Sequence, residues 1–384
     1  MKILKICTST WENASRDQRE LSVCRELGAE TIILAKGNAE DRGRADTVNG
    51  FHVLRYTTRP YTHIPVPVNR LLSIFKWAKY ASTLQADIIS GHDIGGWTIG
   101  WLSQFYNRKK TPVFVYDSHE FELGRNAKRN KLQIAAIKFW ERKVIRDSAF
   151  TIVVNDSIAD ELVKIYGLKE RPVVVRNIPN KWMIDPDVCK ETRKELEKMF
   201  GGGYIMIYHG AICKNRGIEQ LIAAIKELQN VKLLLLGNPE STAYLNFLKT
   251  QYIDQLVNKV YLMPAVPHKE LWKYIGAVDI CAVPIIPKCR SYYFALPNKL
   301  FEAIQAEVPL LVSDLPEMRR IVEGYQIGQC VHSEDTKELK DAILDMKQKG
   351  KETYRTKLID AKEELTWENE KAVLTQAYSK IGVK

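Results

Sequence analysis

Short apolar runs alternate with amphipathic stretches along almost the whole chain. Residues 3–7, 31–34, 51–56, 88–90, 113–116 and 150–154 have the length and apolar content of buried strands. Residues 15–27, 69–84, 131–146 and 158–166 place apolar side chains at helical spacing. Strands separated by crossover helices predict βαβ units and parallel sheets. The alternation pauses at Asn177-Ile178-Pro179-Asn180 and Ile184-Asp185-Pro186-Asp187, which is turn chemistry, and Gly201-Gly202-Gly203 follows. It restarts with strands at 204–208, 231–236, 259–262, 280–283 and 310–313, and helices at 217–228, 269–274, 297–306 and 335–349. A last helix, 366–381, carries Trp367, Val373, Leu374 and Tyr378 on one side. The pattern predicts two α/β halves joined by a linker near residues 178–200, alike in architecture and without a sequence repeat. Open α/β sheets bind ligands at the carboxyl ends of their strands, so the loops just after strands hold the chemistry.

Composition narrows the class. A chain of 384 residues exceeds one ordinary core, in keeping with two domains. With 45% hydrophobic and 27% charged residues it is a folded protein, not a disordered one. No run approaches the ~20 apolar residues that span a bilayer. Residues 1–6 read as a buried strand and lack the features of a secretory leader. The seven cysteines are odd in number and scattered, which predicts free thiols in a reducing compartment. The seven histidines do not cluster with them at ligand spacing, so a zinc site is not expected.

Two motifs are missing and two are present. The loop after the first strand, residues 8–17, holds no glycine, so the GxGxxG dinucleotide fingerprint is absent, and so is the Walker pattern. This disfavours a nicotinamide or flavin dehydrogenase and a P-loop NTPase. The segment from Tyr208 to Gly217, YHGAICKNRG, opens a helix after a strand. Gly210 lets backbone approach an anion, and helix-start amides with Lys214 and Arg216 supply positive charge. An ordinary βα turn with exposed bases explains that segment equally well. In Ala295-Leu296-Pro297-Asn298-Lys299-Leu300-Phe301-Glu302, Pro297 suits the first helical turn, and the free amides of that turn face a ligand. Lys299 adds a full charge, and Glu302, one turn on, is placed to accept hydroxyl hydrogen bonds, for example from a ribose. The structural alternative is a capped helix with an exposed acid.

The block ending in "ALPNKLFEAIQAEVPLLVSDLPEM" resembles the donor-binding segment of GT-B glycosyltransferases of the large retaining family 4. "YHGAICKNRGIEQLIAAI" is similar to that family's first C-domain loop and helix, and "GHD" (91–93), "VYDSHEFE" (115–122), "VVVRNIPN" (173–180) and "AVPHKELWKYIGAVDICAVP" (265–284) follow its order. The resemblance spans essentially the whole chain. It implies two Rossmann-like parallel-sheet domains, 1–178 on the acceptor side and 179–364 on the nucleotide-sugar side. An interdomain cleft and a C-terminal crossover helix, 365–384, packed back on the first domain complete the expected fold. The implied activity is retaining transfer of a sugar from a nucleotide-diphosphate donor to an acceptor hydroxyl, an EC 2.4 hexosyltransferase without a cofactor or metal. Gly210, Lys214, Arg216, Asn298, Lys299, Leu300 and Glu302 are the implied donor-binding positions, and Ala265 and Val266 border the base. His119, with Asp117 and Glu120, is the implied reaction centre, and His92 and Asp93 lie on the acceptor side. Two positions depart from the family's pattern: Phe294 stands where the first Glu of E-x7-E is expected, and Ala211 where many members have Arg. Asp185-Pro186-Asp187 matches a metal motif of another fold and reads as turn chemistry. A nucleotide-sugar 2-epimerase of the same fold and a silent GT-B binding protein remain as alternatives.

Charge adds a partner. The chain carries +11, and residues 125–146 hold eight basic residues against Glu141 alone. Lys128, Lys131, Lys138, Arg142 and Arg146 fall on one side of a helix, beside an apolar stripe of Leu132, Ala136, Phe139 and Trp140. Such a helix suits an anionic membrane surface. A core-facing stripe with a solvated face is the plainer reading. Nucleic acid is not expected, because no stacking aromatics are interleaved with the charge. Combined with the resemblance, this predicts a cytoplasmic enzyme, peripheral on the inner face of a membrane, acting on a lipid-linked or glycan intermediate of cell-surface polysaccharide synthesis.

Overall fold

The computed structural model describes residues 1–37, 44–57, 63–107, 111–125, 128–253 and 257–383. They form two units, Met1–Arg176 with Glu370–Lys384, and Asn177–Asn369.

The first unit runs β1 (Lys2–Cys7), α1 (Ser15–Glu26), β2 (Glu30–Lys36), β3 (Ala45–Val48), β4 (Phe51–Tyr56), α2 (Val66–Thr83), β5 (Ile88–His92), α3 (Asp93–Ser103), β6 (Val113–Ser118), α4 (Lys131–Arg146), β7 (Phe150–Val153), α5 (Asp156–Tyr166) and β8 (Val173–Val174). Its sheet has the order β3-β4-β2-β1-β5-β6-β7-β8, parallel except for the β3–β4 hairpin. β1 pairs β2 from Lys2↔Glu30 to Cys7↔Ala35, and pairs β5 from Ile3↔Ile88 to Ile6↔Gly91. Strand order therefore reverses at β1, between the chain running out to β4 and the chain running out to β8. That is where an open α/β sheet has its binding crevice.

The second unit holds α6 (Pro186–Phe200), β9 (Tyr204–His209), α7 (Ile218–Lys226), β10 (Val231–Leu236), α8 (Thr242–Leu248), β11 (Val260–Met263), α9 (His268–Gly276), β12 (Ile280–Val283), α10 (Arg290–Tyr293), α11 (Asn298–Gln305), β13 (Leu310–Ser313), α12 (Pro316–Tyr325), β14 (Gly328–Val331), α13 (Thr336–Lys349) and α14 (Arg355–Glu364). All six strands are parallel, in the order β11-β10-β9-β12-β13-β14, so the reversal lies between β9 and β12. The core is the apolar sheet itself, Ile205 to Tyr208, Leu233 to Leu236 and Ile280 to Val283, sandwiched by helices. The last helix, α15 (Trp367–Lys380), returns to the first unit. There Glu370 takes the Arg176 amide at 2.6 Å and its guanidinium at 2.9 Å, and Tyr378 is fully buried.

Two expectations change. Residues 178–200 are not a linker. Asp185 caps α6 through Asp187 N at 2.9 Å, Pro186 opens it, and Thr192, Leu196 and Phe200 face inward. The same contact gives Asp185-Pro186-Asp187 its role as a cap. The pattern also misses α3, whose sequence DIGGWTIGWLS reads as a poor helix. Its glycines serve close packing: a Cβ on Gly96 would stand 2.3 Å from the Ile6 carbonyl oxygen, and one on Gly100 2.5 Å from the Ile89 side chain. No helix among the described residues is long and apolar enough to cross a membrane.

Candidate functional site

In the first unit β1, α1, β5 and β6 converge on one buried ionic cluster. Lys5 points from the middle of β1 into the protein, fully buried. Its ammonium lies 2.8 Å from Asp17 Oδ1, 2.5 Å from Glu20, 2.9 Å from Asp117 and 3.2 Å from the Ser90 hydroxyl. Burial alone would push the Lys5 pKa down, but the three carboxylates win and raise it well above the ordinary value. Arg16 adds a second cation, donating to Asp117 Oδ1 at 3.1 and 3.2 Å and to the Val175 carbonyl at 2.5 Å.

Two imidazoles lie above this cluster. His119 Nε2 is 2.9 Å from Asp117 and 3.5 Å from Asp17, while its amide donates to Asp93 Oδ1 at 3.0 Å. His92 Nδ1 is 2.9 Å from Asp17 Oδ2. The rings stack with centroids 3.8 Å apart at 30°. Burial opposes protonation of both rings, yet Asp117 and Asp17 raise His119, and Asp17 raises His92 to about 11. The same contacts hold Asp17 and Asp117 well below the carboxylate range despite their burial.

The fold thus separates residues that the sequence groups together. Asp117 is fully buried beneath His119, so it can orient the imidazole but cannot touch a ligand. Glu120 turns away from the cluster and pairs with Arg125 Nε at 3.1 Å. Asp93, at φ +54, starts α3 and also accepts from Arg125 at 3.1 Å. Cysteine and histidine do meet, against expectation: Cys7 Sγ lies 3.6 Å from His92 Nδ1 and 3.8 Å from Asp17. Residues 85 positions apart cannot show this as spacing. Cys7, Asp17 and His92, or Asp17, Asp117 and His119, are near enough to share a metal ion, but the cation these carboxylates already surround is the Lys5 ammonium. A cavity of about 660 Å³ opens beside His92, bounded by Thr8, Ser9, His92, Asp93, Arg125, Ile137 and Trp140.

The basic stretch is less unbalanced than it reads. Acids outside the window partner half of it: Arg125 with Asp93, Glu120 and Glu122, Arg129 with Glu122 at 2.7 Å, Lys143 with Asp147 at 2.5 Å, and Arg146 with Asp147 at 2.9 Å. Residues 126 and 127 of the stretch lie outside the described residues. The apolar stripe splits. Trp140 turns inward, donating to Thr98 at 2.8 Å, whereas Leu132 and Phe139 are 80% and 74% exposed.

In the second unit the loops after β9 and β12 meet the start of α11. Gly210, at φ +98, leaves the room that Lys299 fills; a Cβ there would stand 2.8 Å from Lys299 Cε. The Lys299 ammonium lies 3.8 Å from the Tyr208 ring centroid. Burial, then the charge of Arg216, lower its pKa to about 7. Arg216 stacks on Tyr292 at 5.2 Å, and Lys214 is exposed. Pro297 sits at the cap, one residue before α11, so the amides of Asn298 and Lys299 open the helix. Leu300 is different: its side chain lies in the core and its amide donates to the Pro297 carbonyl at 3.1 Å, so it packs rather than binds. Glu302 spans two imidazoles, His209 Nε2 at 2.8 Å and His268 Nε2 at 3.2 Å. Burial opposes its ionisation, but those contacts bring its pKa to about 2. The sequence reading overlooks both histidines as site residues, although each stands in a segment that carries the resemblance. Ala265 is exposed and its amide donates to Asn238 Oδ1 at 3.1 Å, while Val266 packs on the core. Phe294 is buried, with the Arg290 guanidinium 5.7 Å from its ring.

Comparison with known proteins agrees with this two-unit plan. Residues 22–179 match the family described as Glycosyltransferase Family 4, and residues 203–349 the family described as Glycosyl transferases group 1. The chain is a GT-B-fold glycosyltransferase related to these families. No curated protein matches this GT-B glycosyltransferase in sequence. Among solved structures, sucrose-phosphate synthase from Thermosynechococcus elongatus is similar at 16% identity, covering 99% of each chain, with a TM-score of 0.76. HepE of Anabaena in complex with UDP and glucose is similar at 15% identity over 99% of this chain and 100% of its own, also at 0.76. An α,α-trehalose-phosphate synthase (UDP-forming) from Burkholderia vietnamiensis is similar at 9% identity over 99% of each chain, at 0.69. At these identities the likeness speaks for the fold, two Rossmann-like parallel-sheet units with a C-terminal helix.

Proposed function

We propose that this glycosyltransferase moves a sugar from a uridine-diphosphate donor to an acceptor hydroxyl with retained anomeric configuration. The observation that carries the reading is the group around Gly210. Lys299, Arg216 and the opening amides of α11 gather where the glycine leaves room. Fixed cations and amides of this kind stabilise the charge that develops on a leaving diphosphate, without a metal. Glu302, ionised and held by His209 and His268, suits a ribose diol. Uridine is favoured because HepE is described with UDP and glucose and the trehalose-phosphate synthase as UDP-forming. In the first unit His119 takes the reaction-centre role and the 660 Å³ cavity the acceptor. The cavity's wall of Ile137 and Trp140 leads to the exposed apolar and basic residues of α4. This supports a lipid-linked glycan acceptor in cell-surface polysaccharide synthesis, taken from an anionic membrane surface that α4 touches.

A ligand that binds only the folded state stabilises it by about 2.7 kcal/mol at a hundredfold excess over Kd. UDP is expected to raise Tm clearly more than GDP or ADP. UDP-sugars with the right acceptor should then release UDP in proportion to acceptor. Release driven by a sugar phosphate rather than a lipid-linked glycan would replace the acceptor reading. C2 inversion without acceptor would make the protein an epimerase, and a thermal shift with no turnover a silent binder.

The lowered pKa of Lys299 gives a pH test of the donor site. Below about pH 7 the ammonium is already charged; above it, diphosphate binding must take up a proton. UDP affinity is therefore expected to fall as pH rises above 7, by up to about tenfold per unit. Lys299→Arg, which keeps its charge, should flatten that slope. Calorimetric Kd values between pH 6.5 and about 9 check this, and an equal slope in both proteins would remove Lys299 from the diphosphate.

A further inference from the structure

α2 carries an outward stripe that the donor and acceptor reading does not use. Val68, Leu71 and Phe75 recur at i, i+3 and i+7 and are 49%, 55% and 43% exposed. Lys79 continues the stripe, while Ser73, Trp77 and Ala81 on the opposite side are buried. The helix contains Arg70, Lys76 and Lys79 and no acid. α4 repeats the arrangement. Leu132, Ala135 and Phe139 recur at the same spacing, with Lys131, Lys138 and Arg142 beside them. Its one acid, Glu141, faces inward, accepting from Tyr116 at 3.1 Å and Tyr166 at 2.6 Å.

Topology puts both stripes on one side of the first unit. The crossovers β4→β5, β5→β6 and β6→β7 all step in the same direction across the sheet. Right-handed crossovers in one direction leave their helices on one face, so α2, α3 and α4 lie side by side. α2 packs on α3 and α3 on α4, and Trp77, Trp97 and Val144 share their core. Each helix starts at the carboxyl edge of the sheet, the edge where the cavity beside His92 opens.

We infer that α2 is a second membrane-docking element, which with α4 seats the first unit on an anionic lipid surface. Charge complementarity selects this occupant: apolar side chains flanked by bases, with no outward acid on either helix, fit anionic headgroups over acyl chains. The inference rests on the reading of α4 given above, and its test separates the two. Flotation with phosphatidylcholine vesicles, with and without phosphatidylglycerol, is measured for the wild type, for Leu71→Asp/Phe75→Asp and for Leu132→Asp/Phe139→Asp. All are first checked for unchanged Tm and UDP binding. The wild type should bind the anionic vesicles and be released by salt, and each double variant should bind at least tenfold less. An α2 variant that floats like the wild type while the α4 variant does not would overturn the inference and leave α4 in place. A wild type indifferent to anionic lipid would overturn both. A wild-type dimer in solution that the α2 substitutions dissociate would make the stripe a contact between copies and overturn the lipid assignment.

Discussion

Lys5→Met is expected to lower the stability of the first unit by about 3–5 kcal/mol. Methionine fills a similar volume, so the loss is electrostatic. It strands Asp17, Glu20 and Asp117, all buried and all within 2.9 Å of the ammonium. Arg16 still reaches Asp117, but nothing else in this group reaches Glu20 except Ser90, at 2.7 Å, and Tyr378 of α15. At 2–4 °C per kcal/mol for a unit of this size, Tm should fall by roughly 10 °C. The sign of the pH dependence follows from the depressed pKa values of Asp17 and Asp117. Their contribution is present above the unfolded carboxylate range and lost as pH falls through the folded values. In the variant those pKa values rise, so protonation relieves the stranded charges. The gap in Tm between wild type and variant should therefore narrow from pH 8 towards pH 4.5. A gap under 2 °C at pH 8 would show that the cluster does not depend on its lysine. Because Tyr378 and Glu20 share this network, undocking of α15 should carry part of the same loss.

Which features were legible follows from where their partners lie. Strand and crossover periodicity is local, so the central strands of both sheets can be read directly, whereas the outer strands β3, β8 and β14 are too short or too polar to stand out. The Pro-Asn-Lys-Leu-Phe-Glu block is also local, a helix start whose six residues are adjacent in sequence. Lys5 is the opposite case. A lysine inside an apolar strand gives no sign of its three carboxylates, which lie 12, 15 and 112 residues away. Glu302 could be picked out, but not the histidines that hold it, since His209 ends β9 and His268 opens α9, 93 and 34 residues away. α3 was hidden by its glycines, which tertiary packing requires and helix propensity penalises. The balance of residues 125–146 was hidden because Asp93, Glu122 and Asp147 reach in from outside it. Local pattern specified the elements and the donor turn. The ion networks needed the fold.

His119→Ala should reduce kcat by about 10²–10³-fold while leaving UDP binding nearly unchanged and lowering Tm less than Lys5→Met does. The stability part follows from geometry. The imidazole is half-buried at the rim of the cluster, and Asp117 keeps Lys5 and Arg16 when it is removed. The catalytic part follows from the charge that Asp117 and Asp17 hold on the ring. The raised pKa favours the protonated ring, able to donate to the oxygens of a reacting sugar. The charge is lost as pH rises through that raised value, so the alkaline limb of wild-type kcat should lie above the free imidazole value of about 6.5. Asp117→Asn removes the larger of the two carboxylate effects. Its pKa should fall towards the free imidazole value of about 6.5, and the alkaline limb of kcat should move down with it. A merely structural aspartate would change Tm and leave that limb in place. Near wild-type turnover in His119→Ala, measured with an acceptor that supports UDP release, would place the reaction centre elsewhere. His92, stacked on the same ring and held by Asp17, would then be the next imidazole to replace.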